Sequence, residues 1–500
     1  MSSTLTSTEA AAPRRVSTGV IGLDTISNGG LIPDRSTLVR GPPGVGKTLF
    51  GLHYLTAGIT DGETGLFINL GEPERYLRND ATAFGFDTDS ITFLDLTPEK
   101  ADFHAEETYD VFASAEVEGP SIANTIVETV NTVEPDRVFI DPMTQLRYLV
   151  DDPYKFRKQV MAFLRFLEER SVVFTSQATQ TDPDDDLQFL ADAVFELDWD
   201  NERRTVSISK FRGSDYQNGD HSFRITDDGI VVSPILSPEQ YGREYKSETL
   251  STGISELDLL LHGGLERGTI TLLSGPTGVG KSTLGLQFLT ECADQRTLSV
   301  LYSFEESERT LIERSDATNI PLEDMRERGS LKVVEIGPRK RSIDEFVQQV
   351  RCDVDDNETT VVMIDSVDGF QQSLLGVDGV SDITNLGRYL RNMGVTAIFV
   401  NEVHRVTGEF QVTEDGISQI ADTILFMRHI EYQGELRKVV GVLKKRTTDF
   451  EHRLRELQIT DKGLMVDDTL PELQGILIGT PTWNDEASDA TSVNTNDSDT

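Results

Sequence analysis

Gly41, Pro42, Pro43, Gly44, Val45, Gly46, Lys47 and Thr48 spell GPPGVGKT; Gly275, Pro276, Thr277, Gly278, Val279, Gly280, Lys281 and Ser282 spell GPTGVGKS. Each is a complete P-loop. Each follows an apolar run that reads as a strand, Ser36–Arg40 or Ile270–Ser274. Each opens a stretch with helical spacing, Leu49–Ile59 or Thr283–Thr290. Strand, glycine turn and helix together are the context that gives the motif its meaning. The glycines let backbone N–H groups close on phosphates, and the helix N-terminus adds its positive end. Lys47 and Lys281 reach the outer phosphates, while Thr48 and Ser282 offer a hydroxyl to Mg²⁺. The expected ligands are ATP and Mg²⁺.

The two loops belong to an internal duplication. Val16–Thr48 aligns with Leu250–Ser282 without a gap, and about half of the positions are identical. The same register pairs Glu72 with Glu306, Lys210 with Lys444 and Arg212 with Arg446. A repeat of this length means duplicated domains rather than a solenoid. The expected boundaries are 14–236 and 249–470, joined by a polar linker at 237–248. Residues 1–13 and the acidic tail 471–500 are expected to be disordered. In each copy short apolar runs alternate with helical patterns, which implies a mostly parallel sheet flanked by helices. Arg137–Asp141, Val172–Gln177, Ser299–Phe304, Val361–Asp365 and Val395–Asn401 read as further strands. Ala193–Asp198, Thr205–Ser209 and Phe223–Ile225 read as successive antiparallel strands at the sheet edge.

A P-loop needs a second carboxylate to hold the metal's water shell. Asp141 ends VFID and Asp365 ends VVMID, so each sits at the C-terminal tip of a buried strand, where ligands bind in such sheets. Glu305 and Glu306 follow one strand tip and Glu72 follows its counterpart. Carboxylates there can orient or deprotonate an attacking water or hydroxyl. Lys210-Phe-Arg212 and Lys444-Lys-Arg446 place two cations at i and i+2, on one side of a strand. That spacing suits a phosphate offered by a neighbouring subunit, or else an edge strand defended by charge. His404 reads as a surface or loop histidine, Cys292 and Cys352 as small core hydrophobes, and the aromatics of Phe163–Leu167 as the core face of a helix.

These motifs resemble the KaiC family of two-domain ATPases and autokinases in the RecA/DnaB-type superfamily. The resemblance runs from about residue 14 to 468. It rests on both P-loops, the STG…LD…GGL stretches before them, Asp141, Asp365, the glutamates and both KxR motifs. It implies tandem RecA-like folds, a two-tiered homo-hexamer and ATP held between neighbouring subunits; an unidentified regulatory protein partner is expected beside these, but the acidic tail does not resemble the family's activator-binding tail. It also implies catalytic roles for Glu72, Glu305 and Glu306, and ATP contacts in trans for Lys210, Arg212, Lys444 and Arg446. The family's second domain phosphorylates itself on an adjacent Ser-Thr pair. The corresponding run here is DGISQIADTI, Asp415–Ile424, with Ser418 kept and Gln419 in the threonine's place. Thr413 matches a further threonine upstream. The first copy reads DLQFLADAV, with no acceptor, and Gly71 replaces one glutamate there.

The chain has 500 residues, with 46 Lys and Arg against 85 Asp and Glu, for a net charge of −39. Such a field repels phosphate backbones and anionic lipid, which argues against nucleic-acid and membrane partners. Acid spread along the whole chain is also the pattern of a halophile's protein. Two cysteines without CxxC spacing point to a reducing cytoplasm rather than to disulfides or zinc. The expected function is a Mg-ATP-dependent ATPase with serine/threonine autokinase activity in its second domain, serving signalling or timekeeping. The competing readings are a DNA-handling recombinase or helicase and a non-catalytic, ATP-loaded scaffold ring.

Overall fold

The computed structural model describes residues 14–97, 115–149, 152–177, 183–200, 202–294, 298–356, 359–376, 378–403, 417–432 and 434–469, with two short pairs at 473–474 and 482–483. The chain divides into two compact units, Met1–Ile235 and Leu236–Thr500. Each is a RecA-like α/β domain built on one nine-stranded sheet.

In the first unit the strands are β1 (Ser36–Arg40), β2 (Gly65–Asn69), β3 (Ile91–Asp95), β4 (Arg137–Asp141), β5 (Ser171–Ser176), β6 (Ala193–Trp199), β7 (Arg204–Phe211), β8 (His221–Thr226) and β9 (Gly229–Ser233). Their order is β3-β2-β4-β5-β1-β6-β7-β8-β9. Strands β3 through β6 pair in parallel, and β7 to β9 continue the sheet antiparallel. In the second unit two short strands, β10 (Thr249–Leu250) and β11 (Leu265–Glu266), pair with each other. The main sheet holds β12 (Ile270–Gly275), β13 (Leu298–Ser303), β14 (Leu331–Glu335), β16 (Thr359–Asp365), β18 (Thr396–Glu402), β19 (Thr423–Tyr432), β20 (Glu435–Lys445), β21 (Arg455–Thr460) and β22 (Gly463–Thr469). Short β15 (Arg341–Ser342) pairs with β17 (Leu374–Leu375). The order of the main sheet, β14-β13-β16-β18-β12-β19-β20-β21-β22, repeats that of the first unit.

Both faces of each sheet are covered, so the central strands are apolar on both sides. In β4, Phe139 packs into one core cluster and Val138 and Ile140 into the other. In β16, Val361 and Met363 divide from Val362 and Ile364 in the same way. At roughly 1.5–3 kcal/mol for each large side chain buried, such strands are stable only with helices on both faces. The duplicated STG…LD stretch also has a physical reason. Asp24 accepts from Ser17 Oγ at 2.6 Å, Thr18 N at 2.8 Å and Thr18 Oγ1 at 2.7 Å. Asp258 accepts from Ser251 Oγ, Thr252 N and Thr252 Oγ1 at the same three distances.

Two readings from sequence change here. Cys352 is exposed on the helix Ile343–Asp356, whereas Cys292 is buried as expected. The helical period carries Cys352 to the face away from buried Val350 and Val354. The stretch 237–248 is also more than a tether. It opens with a short 3-10 turn, Pro238–Gln240. Pro238 O accepts from Asn392 Nδ2 at 2.9 Å, and Tyr241 packs edge-on against Tyr389.

Candidate functional site

The two P-loops leave the C-terminal tips of β1 and β12. A Cβ on Gly41 would meet Leu197 O at 2.2 Å, and one on Gly275 would meet Met427 O at 2.4 Å. Gly46 and Gly280 have φ of 119° and 111°, which L side chains rarely adopt. The helices Lys47–Thr60 and Lys281–Asp294 begin at the motif lysines. Lys47 Nζ donates to Gly41 O at 2.7 Å and Pro42 O at 2.9 Å. Lys281 Nζ makes the same pair to Gly275 O and Pro276 O at 2.8 and 2.9 Å. Burial pulls both ammonium groups below the ordinary lysine pKa.

Asp141 and Asp365 end the strands two places along the sheet from their P-loops. Thr48 Oγ1 donates to Asp141 Oδ2 at 2.6 Å, and Thr175 Oγ1 donates to the other oxygen. Ser282 hydrogen-bonds Asp365 in the second unit. Burial raises both carboxyl pKa values, Asp365 to about 6. Hydroxyl and carboxylate oxygens side by side are the hard donors Mg²⁺ takes, with waters completing its shell. The residues present therefore fit the metal.

The glutamates follow the next strand. Asn69 pairs with Asp141, and Ser303 with Asp365. The residues after β2 and β13 therefore lie beside the two aspartates. Asn69 and Ser303 also shape the turns that follow. Asn69 Oδ1 accepts from Gly71 N and Glu72 N, while Ser303 Oγ donates to Glu306 O at 2.7 Å. Glu72 is exposed. Glu305 accepts from the Ser366 hydroxyl, and Glu306 accepts from Arg314 Nη1 at 2.5 Å. A side chain at Gly71 would press on Pro142, with Cβ at 3.1 Å from its Cδ.

The profile of the KaiC ATPase family matches residues 16–237 and again 250–470. The chain belongs to the KaiC ATPase family. The circadian clock oscillator protein KaiC of Picosynechococcus sp. is 28% identical over 495 residues, covering 94% of this chain and 92% of that protein. The KaiC proteins of Thermostichus vulcanus and Prochlorococcus marinus are each 28% identical, over 503 and 499 residues. They cover 95% and 94% of this chain, and 93% and 95% of their own lengths.

In this KaiC-family chain the KxR pairs lie at the opposite end of the sheet from their own P-loops. Lys210 pairs with Val194 and Phe211 with Ala193, which in turn sits beside Thr37 at the start of β1. At ~3.3 Å per residue, Arg212 is roughly 15 Å along the sheet from Gly41. Lys210 Nζ donates to the carbonyls of Gln188 and Phe189 at 2.9 and 3.0 Å. Lys444 Nζ donates to Ser418 O at 2.9 Å. Arg212 and Arg446 stay about half exposed, 3.6 and 3.7 Å from Asp192 and Asp422. Ser418 lies in a short 3-10 turn, Ile417–Gln419, and is half-buried. Thr413 and His404 lie outside the described residues. Among the described residues no helix is long and apolar enough to cross a membrane.

Three KaiC-family site features escaped the sequence reading. Glu402 pairs with Gly275 at the tip of β18, between the P-loop and Asp365, and its charge acts on Lys281. The clue was present as one more residue on an apolar run, IFVNE. Its counterpart is the amide Gln177, after Ser176. Arg40, just before the first P-loop, forms a bond with buried Asp184 at 3.0 Å. Arg314 stands against Glu306 from eight residues away, with no motif to mark it.

Proposed function

We propose that the chain is a Mg-ATP-dependent ATPase that works as a ring, a homo-hexamer, with serine autokinase activity at the second site. The observation that carries this reading is the placement of the KxR pairs. A P-loop at one end of each sheet and two cations at the other cannot serve one nucleotide in the same chain. They can do so between neighbours stacked head to tail, and such a heterologous contact closes into a ring.

In this reading the P-loop amides and Lys47 or Lys281 hold the phosphates. Thr48 with Asp141, and Ser282 with Asp365, would hold Mg²⁺, which would supply neutralisation of the charge that develops on the phosphates. Arg212 and Arg446 steady the γ-phosphate of the next subunit. One glutamate past the strand tip at each site takes the proton of the attacking group. Ser418 sits at the KxR end of its own sheet, so a phosphoryl group reaches it from a neighbour's P-loop. The output is signalling or circadian-type regulation through a protein partner, in the cytoplasm of a halophile.

Mixing two variants tests this. Lys281→Ala leaves an acceptor without a nucleotide, and Ser418→Ala leaves a nucleotide without that acceptor. Incubated together with Mg-ATP, they are expected to yield phosphate on Ser418 of the Lys281→Ala chain, read by phosphopeptide mass spectrometry. Neither alone should do so. If the wild type hydrolyses ATP while Ser418 stays unmodified, the autokinase part falls and an ATPase remains.

A further inference from the structure

The second site carries two adjacent glutamates, and the structure gives them different partners. Glu305 accepts from Ser366, the residue after Asp365. Glu306 is paired with Arg314, Nη1 to Oε1 at 2.5 Å. Arg314 stands in the last turn of the helix Glu308–Ala317. Its side chain is 30% exposed and that of Glu306 is 33% exposed, so the pair is only partly solvated. Nε and Nη2 of Arg314 and Oε2 of Glu306 are buried and make no hydrogen bond. The contact is thus end-on, through a single N–H.

A charge-assisted hydrogen bond from a guanidinium is among the stronger ones and holds the carboxylate in place. The two copies show that the arrangement is selective. The register that pairs Glu72 with Glu306 puts Asp80 where Arg314 stands. The first unit has one glutamate, exposed, and no arginine in that place. The second has two glutamates, and the arginine takes one of them.

Resting on the ATPase reading above, we propose that Arg314 is a positioning residue that withdraws Glu306 from proton transfer and leaves Glu305 to do it. As the attacking oxygen bonds to the γ-phosphorus, its O–H bond breaks and the proton passes to the Glu305 carboxylate. The bond from the γ-phosphorus to the β–γ bridging oxygen breaks, and ADP leaves with that electron pair. Glu305 then returns its proton to solvent. Without Arg314, the Glu306 carboxylate is free to turn toward the same attacking group, beside Asp365, which lies close enough to feel both glutamates.

The test uses full-length protein carrying Lys47→Ala to silence the first site, with kcat and KM for ATP measured in Mg²⁺. Glu305→Gln is expected to lower kcat by about 100-fold or more, the scale of a lost general base. Glu306→Gln should lower it by no more than about threefold, with KM unchanged. Arg314→Met should lower kcat by about tenfold, and that loss should vanish when Glu306→Gln is also present. Arg314→Lys, which keeps the charge, should restore most of the rate. Arg314→Met added to Glu305→Gln should raise kcat above that of Glu305→Gln alone, because the freed Glu306 takes over. A merely structural arginine would not produce that gain. Glu306→Gln as damaging as Glu305→Gln, or additive losses for Arg314→Met and Glu306→Gln, overturns the proposal while leaving the ATPase reading intact. Wild-type protein that binds ATP without turning it over overturns both.

Discussion

His53 shows how one buried side chain ties acid sensitivity to the first unit. Its Nε2 accepts from Ile230 N at 2.8 Å, and Phe86 meets the ring edge-on. Burial pushes its pKa down to about 4, against 6.5 in the unfolded chain. Between those values the unfolded chain binds the extra proton. Stability therefore falls as pH drops through this window, by up to roughly 1.4 kcal/mol per pH unit. His53→Gln keeps an acceptor for Ile230 and removes the proton. Urea unfolding of this variant at pH 7 and pH 5 should show a smaller difference than wild type, by about one proton. Residues of this kind explain what the sequence left unread. Asp141 was legible because it ends an apolar run beside a P-loop that demands it. Arg314 was not, because on a charged helix it resembles Arg309, which merely pairs with Glu313 one turn on.

At the scale of elements, alternation of strand and helix made both parallel sheets legible, and the P-loops marked their central strands. Strand ends were less legible. The reading stopped β18 at Asn401, and that one residue hid Glu402. The KxR strands were visible as charge spacing, but only their antiparallel register places them away from their own nucleotide. Since each P-loop sits in its own strand–turn–helix within a separate unit, loading should be separable. Lys47→Ala and Lys281→Ala should each retain about half of the bound ATP, measured by denaturing the protein and quantifying released nucleotide. Total loss from either single change in a folded protein would rule out independent sites.

For the whole molecule the deciding quantity is the net charge of −39. Copies brought together in a ring repel one another, and the repulsion reaches ~10 Å at 0.1 M salt but only ~3 Å at 1 M. Assembly in Mg-ATP, followed by light scattering, should therefore strengthen as KCl rises from about 0.1 to 2 M. Assembly that weakens steadily with salt would point to ion pairs as its main support.

The 237–248 stretch bears on where this chain can be cut. Tyr245 fills a notch walled by Gly268 and Gly394, where added Cβ atoms would lie 2.5 Å from its hydroxyl and 2.4 Å from its ring. Arg351 and Arg267 lie over the rings of Tyr241 and Tyr245. A gene fragment begun at Thr249, where the repeat itself suggests a border, would strip these tyrosines away and leave the faces beneath them wet. A fragment begun at Leu236 carries its own cover.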